Sequence, residues 1–454
     1  MTEPRPPAIG PLGIPAFRLL VAGRAVAALG NAIAPVALAF AVLDLTGSAT
    51  DLGLVVATRM LANVAFVLFG GALADRLPKH LLMVGAGVAA AASQGVVAAL
   101  VLTGNATVTL LIVLSAVNGM ASALELPASS AILPQIVPPD LRQRANGINR
   151  LLFNGAFVVG APVGGVLVAA TSPGWGIAAD AVAFLLSAVC FAFVRVPTPA
   201  PADHAVAASA AEAANKVAVP ERAVGAEAGT QAESPAPAET HNLFTDLRIG
   251  WTEFRTRTWL WVVVVGFCLV NAALMGGFTV LGPVIADRTI GREAWGFVLG
   301  AQTAGMMIGA LVAMRIRVPR LLLFGVVCTA ALVLPILGLG LAPHFWLLWV
   351  TAFVAGASIE QFGVAWETTM QEHVPADKLA RVYSYDMMGS FVAIPVGQVA
   401  AGPIADAVGV EATLIGAAAL ILVAVLGMLS SRDVRHLRHR LPDRRSTPME
   451  QLPA

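Results

Sequence analysis

Gly70-Gly71-Ala72-Leu73-Ala74-Asp75-Arg76-Leu77-Pro78-Lys79-His80 is a short charged knot between two apolar runs. The runs, about Leu52 to Phe69 and Leu81 to Leu102, are each long enough to cross a bilayer, which takes roughly 20 apolar residues. The knot is therefore expected to be a tight loop at a membrane surface. Paired glycines let two helices approach closely. The Asp75 carboxylate suits the free amides at the start of the next helix, and Pro78 suits that helix's first turn. Arg76 and Lys79 place the loop on the cytoplasmic side, because basic residues are retained there.

The rest of the chain has the same character. Of its 454 residues, 57% are apolar and only 12% charged, whereas a soluble domain carries about 25% charged residues. The reading is a polytopic, all-α membrane protein. A net charge of +1 gives no footprint for nucleic acid. Cys190, Cys268 and Cys328 all lie in apolar runs, with neither a disulfide framework nor metal spacing. Neither a metal nor a bound cofactor is expected. Met1 to Pro15 lacks the pattern of a signal peptide, so the first span is expected to direct insertion itself.

Twelve spans are expected, at about 17–43, 50–73, 80–102, 107–131, 145–170, 175–195, 258–285, 294–314, 319–341, 345–369, 380–405 and 411–430. Prolines 35, 162, 283 and 395 fall inside them and are tolerated in membrane helices. Basic residues test the count. The odd-numbered connections hold only Arg288 and Arg292, while the even ones hold Arg76, Lys79, Arg142, Arg144, Arg248, Arg315, Arg320, Lys378 and others. That asymmetry is what twelve spans with both termini in the cytoplasm would give.

Residues 197–243 are rich in Ala, Pro and Glu and have neither aromatic residues nor an apolar period. They read as a disordered cytoplasmic linker. It separates a six-helix bundle at 17–196 from a second at 244–430, flanked by a cytoplasmic N-terminus (1–16) and a basic cytoplasmic tail (431–454). The halves repeat. A shift of 237 residues maps Val137-Pro138-x-Asp140 onto Val374-Pro375-x-Asp377, Arg144 onto Arg381, Gly160 onto Gly397 and Gly165 onto Gly402. Both copies face the same membrane surface, so the repeats are parallel, about an axis along the membrane normal.

Gly71-x-Leu73-Ala74-Asp75-Arg76-x-x-Lys79 resembles the loop 2–3 signature of the major facilitator superfamily, with Pro78 in place of its second glycine. Gly155 and Gly160-Ala161-Pro162-Val163-Gly164-Gly165 resemble the span-five motif of its drug:proton antiporters, with Ala161 inserted before the proline. Pro138-x-Asp140-Leu141-x-x-Arg144-Ala145-Asn146, Gly174-Trp175-x-x-x-x-Asp180, Trp366-Glu367-Thr368 and Arg381-Val382-x-Ser384-Tyr385-Asp386 resemble the branch that includes enterobactin exporters and macrolide efflux proteins. The resemblance implies alternating access between two six-helix bundles, in the inner (plasma) membrane of a bacterium. It also implies export of a drug-like or siderophore-like molecule against protons. One position departs: the arginine of the antiporters' span-four motif is Ser115 here. The work of proton coupling is then expected elsewhere.

Polar groups at membrane depth are the site candidates, because each is costly unless paired or wetted. Glu125 lies nine residues before Pro134, roughly 14 Å from that end of its span. Arg24 lies at comparable depth, and the two are the expected proton-coupling pair, with Glu360 as second candidate. Asn31, Arg59, Asn154, Asn271, Gln302 and Gln361 are the expected lining of a substrate cavity. Arg59, roughly 24 Å above Asp75, has no partner assignable from sequence. Gly71, Asp75, Arg76, Lys79, Arg144 and Arg381 form the expected cytoplasmic gate. Gly155, Gly160, Pro162, Gly164, Gly165, Gly305 and Gly309 are the expected helix-packing positions. The expected partners are membrane lipid and a small-molecule substrate, with the chain a monomer. An uptake permease on the same fold is the alternative. No Walker motif, H-E-x-x-H or other catalytic centre is present for an ATP-driven pump or an intramembrane enzyme.

Overall fold

The computed structural model describes residues 10–194 and 252–439, apart from 77–78, 253 and 317. The side chains of 67–79, 125–131, 134, 139, 376–377, 380–381, 384 and 391 are also outside the description. The expected linker 197–243, most of the N-terminus and the end of the tail thus lie beyond it.

The described chain is all helix, without strands. Its first half comprises α1 (Pro15–Thr46), α2 (Ala49–Arg76), α3 (Lys79–Leu102), α4 (Val108–Ile136), α5 (Arg142–Ala170) and α6 (Pro173–Ala192). The second comprises α7 (Thr258–Arg288), α8 (Arg292–Ala313), α9 (Leu321–Leu341), α10 (Phe345–His373), α11 (Ala376–Val408) and α12 (Val410–Ser430). Eleven of these helices are long and apolar enough to cross a membrane; in α4 the described apolar stretch is Val108–Leu124. Two helices are less regular than the sequence suggests. A π-helical turn, Met275–Leu281, interrupts α7 around Gly276-Gly277, and a 3-10 turn at Ala330–Leu332 interrupts α9. α1 outruns its expected end and stops where Gly47 takes φ 67°, a left-handed cap whose N–H reaches the Leu43 carbonyl at 2.8 Å.

The outside of the bundle is apolar. On α6, Val182, Leu185, Leu186 and Val189 are exposed along one stripe, continued by Phe193 just past its end, while Phe184, Ala188 and Phe191 are buried opposite. A helix apolar on both faces suits lipid on one side and protein on the other. Lipid supplies no hydrophobic drive between helices, so close backbone packing must. The glycines provide it. Gly160 and Gly164 face α1: a Cβ at Gly160 would lie 2.6 Å from the Ala32 Cβ, and one at Gly164 3.0 Å from the Ile33 Cα. Gly165 turns instead to α8, where its Cβ would lie 3.0 Å from the Gly296 Cα, and Pro162 packs on Gly300. Gly397 and Gly402, their counterparts by the 237-residue shift, repeat the arrangement, with Gly397 against Ala272 of α7 and Gly402 against Thr50 of α2. Within the second half, Gly305 and Gly309 of α8 meet the carbonyl oxygens of Phe353 and Ala357 on α10. Gly155 differs from its expected role: no atom outside its own helix segment lies within 4 Å of the position its Cβ would take.

The halves join through α5–α8 and α2–α11, at the end of the bundle opposite the 70–80 loop. There Arg292, at the start of α8, forks onto Asp44 at the end of α1. Its Nη1 donates to Asp44 Oδ2 at 2.8 Å, its Nη2 to Oδ1, and its Nε to Asp287 Oδ1 at 2.7 Å. The guanidinium also lies 4.9 Å from the Phe40 ring centroid. Thr50 Oγ1 donates to Asp406 Oδ2 at 2.9 Å beside this cluster.

Candidate substrate cavity

Four helices of the first half and one of the second enclose a cavity of about 400 Å³. α1 contributes Arg24, Ala27, Ala28 and Asn31; α2 contributes Val56, Arg59, Met60 and Asn63. Both sets follow the i, i+3, i+4, i+7 spacing of a single helix face. Gly119 and Ser122 come from α4, Phe153 and Phe157 from α5, and Gln398 from α11.

The polar groups are held in pairs. Arg59 Nη2 donates to Asn31 Oδ1 at 2.9 Å, which supplies the partner the sequence did not assign. Asn63 Nδ2 donates to the Gly119 carbonyl at 3.3 Å and thereby ties α2 to α4. The Phe153 and Phe157 rings, one helical turn apart, sit with centroids 5.1 Å from each other. The Gln398 amide oxygen has no hydrogen-bond partner, although the residue is only 4% exposed.

Behind the cavity lies a polar layer that sequence reasoning missed. Asp180 of α6 is fully buried and accepts from Gln94 Nε2 at 2.5 Å. Its other oxygen packs toward Gly30, where a Cβ would stand 2.5 Å away. Asp180 interacts electrostatically with Arg59. Asn118 Nδ2 donates to Ser93 Oγ at 3.5 Å in the same layer. The available signal was composition: Asp180 is the sole charged residue of the 20-residue helix α6.

Several expected lining residues do other work. Asn271 Nδ2 donates to the Ser390 carbonyl at 3.2 Å and joins α7 to α11. Gln361 Nε2 donates to the Gly309 carbonyl at 2.6 Å and joins α10 to α8. Both act as clamps between helices, each amide donating to a backbone carbonyl of the neighbouring helix. Gln302 is half-buried on α8, away from the cavity lining. Asn154 is exposed, and its neighbours Phe153 and Phe157 line the cavity instead, since one residue along a helix turns the side chain by about 100°.

Of the proton-coupling candidates, Arg24 lines the cavity about 10 Å closer to the 70–80 loop than Asn31. Glu125 lies on α4, two turns past Gly119, and its side chain is outside the description. Glu360 is half-buried on α10 and interacts electrostatically with Arg150 of α5 and Glu367 of its own helix. In the gate motif, Gly71, Asp75 and Arg76 end α2 and Lys79 begins α3, with side chains outside the description, as is that of Arg381. Arg144 rests its guanidinium against Gly10, in a 3-10 turn that precedes α1.

A helical membrane bundle in two halves, closed at one end around a mixed polar and aromatic cavity, defines a solute transporter rather than an enzyme. The chain belongs to the Major Facilitator Superfamily, whose family profile matches residues 20–316. A second profile, described as "Transmembrane secretion effector", matches residues 210–439. The chain is 21% identical over 430 residues to Macrolide efflux protein A of Streptococcus pyogenes, covering 93% of this chain and 97% of that protein. It is 25% identical over 436 residues to the Multidrug efflux pump Tap of Mycolicibacterium fortuitum, covering 93% and 96%. Among solved structures, the nucleoside transporter NupG superposes with a TM-score of 0.68 at 12% identity, covering 91% of this chain and 98% of that one. A bacterial homologue of the lysosomal transporter Spinster, in an inward-facing and unoccupied conformation, superposes with a TM-score of 0.63 at 14% identity, covering 92% and 96%.

Proposed function

We propose that the chain is a proton-coupled exporter of small amphipathic molecules, working by alternating access in the inner (plasma) membrane. In this reading twelve spans put both termini and the 70–80 loop in the cytoplasm, and the Asp44–Arg292 contact then seals the extracellular end. The carrying observation is the cavity itself: it lies at membrane depth and combines α1, α2, α4 and α5 with Gln398 of α11. A ligand there touches both halves, so its binding bears on how they rock. The named efflux relatives support export over uptake.

Protons supply the drive in this reading, with Glu125 as acceptor and Arg24 as its switchable partner. A carboxyl at membrane depth changes protonation when its partner moves, because desolvation and a nearby cation pull in opposite directions. Glu360 is the second candidate. The test is transport in liposomes with pH gradients of either sign. Uphill export with protons moving inward is expected. Glu125→Gln should lose uphill export and keep downhill substrate exchange. Uphill movement only in the opposite sense would replace export with uptake. Full uphill export by Glu125→Gln would move the coupling role to Glu360.

A further inference from the structure

The cavity leaves Arg59 unfinished. A guanidinium carries five N–H donors in a rigid fork. Here Nη2 reaches Asn31, and among the described residues Arg59 has no ion-pair partner. Asp180, its electrostatic neighbour, is fully buried, bonded to Gln94 and packed on Gly30. The Asp180 carboxylate therefore stays behind the wall while the guanidinium faces the space. On the facing wall Gln398 is buried with its amide oxygen unpaired. Donors and amides left open at membrane depth are costly unless something completes them.

An oxyanion is what the guanidinium lacks, and a hydrogen-bond donor is what the Gln398 amide oxygen lacks. Carboxylate, phosphate and sulfonate groups match the guanidinium fork, and charge-assisted bonds to it are the strong ones. Arg24, Asn63 and Ser122 add polar groups to the lining, and Val56, Met60, Phe153 and Phe157 give its apolar and aromatic part. We propose that the transported substrate is an anionic amphiphile. Its oxyanion binds Arg59, an N–H or O–H of the same molecule donates to the Gln398 amide oxygen, and its apolar body lies on Phe153 and Phe157. This rests on the cavity being the substrate site, as proposed above. The two anchors belong to opposite halves, and the Gln398 backbone packs on Gly53 of α2 where the halves meet. Occupancy is thereby tied to the closed interface. A cationic drug is disfavoured, since it must approach a guanidinium without an ion pair.

A pair of fluorescent probes with closely matched skeletons tests the charge. Anilinonaphthalene sulfonate is an aromatic anion, and phenylnaphthylamine is its uncharged counterpart. In lipid nanodiscs the wild-type protein should bind the sulfonate about tenfold or more tightly relative to the neutral probe, after subtraction of empty nanodiscs. Arg59→Gln should weaken sulfonate binding ~10- to 100-fold and leave the neutral probe unchanged. Arg59→Lys should fall between, since it keeps the charge and loses the fork. Competition by benzoate against phenyl phosphate identifies the preferred oxyanion. Equal wild-type affinity for the two probes overturns the proposal without any variant having to fold. So does sulfonate binding in Arg59→Gln that matches wild type. Uphill export of ethidium or the neutral probe, with no binding of the sulfonate, removes the anion site and leaves the exporter standing. Arg59-dependent sulfonate binding with no probe moved uphill does the reverse.

Discussion

The Asp44–Arg292 fork is the cleanest place to weigh what holds the two halves together. Asp44→Asn removes the charged inter-half partner and leaves Arg292 its contact with Asp287 in the second half. The side chains are 23% exposed for Arg292 and 44% for Asp44, so solvent screens the pair. Exposed ion pairs contribute about 0.2–1 kcal/mol, and a bidentate fork belongs at the upper end of that range. About 1 kcal/mol corresponds to a roughly fivefold change in the balance between closed and open at this end. Asp44→Asn should therefore shift the population toward the form open at this end about fivefold. Spin labels at Asn105 and Glu411 report it. Both positions are exposed, one beyond α3 and the other in the first turn of α12. With the three native cysteines replaced, a longer distance between the labels should gain weight in Asp44→Asn. Raising salt should move wild type the same way, since the screening length falls to about 3 Å at 1 M, and should hardly move the variant. A shift below twofold, or an equal salt response in both proteins, would refute the latch.

Gly305→Leu should lower stability by about 3 kcal/mol, because its side chain would collide with the Phe353 backbone. Gly155→Leu meets open space and should stay within about 0.5 kcal/mol; melting in detergent followed by size exclusion separates the two. Asp75→Asn should reduce turnover more than substrate affinity, read as maximal rate against half-saturation in liposomes, and unchanged rates would exclude a gating role. Shortening 197–243 to about 15 flexible residues, a coil that spans roughly 20 Å, should preserve transport at normal surface expression; loss of transport would make the segment functional.

The placement of the apolar helices was legible because apolar length acts locally. The 70–80 knot, the basic residues of the even connections and the 237-residue repeat lie on the chain itself. Each answers to the bilayer rather than to another helix. The close-packing glycines were legible for a similar reason, since a helix contact without a hydrophobic drive requires small residues. Gly155 shows the limit: the motif names the positions, and the rotation of α5 decides which of them touch anything.

Which polar groups meet was decided by the tertiary structure alone. Lipid is as apolar as the protein interior, so a membrane helix carries little periodicity to say which face turns inward. Asn154 and Phe153 are adjacent in sequence, yet the ring lines the cavity and the amide does not. Asn271 and Gln361 had the composition of lining residues and became clamps at backbone carbonyls of neighbouring helices. Arg59 and Asn31 meet, and Asp180 and Gln94 stand behind them, through the azimuths of α1, α2, α3 and α6. The chain by itself determined a family, a series of apolar helices and a set of polar residues within them. Packing determined which of those residues became a site, because helix rotation is settled by contacts between helices far apart in sequence.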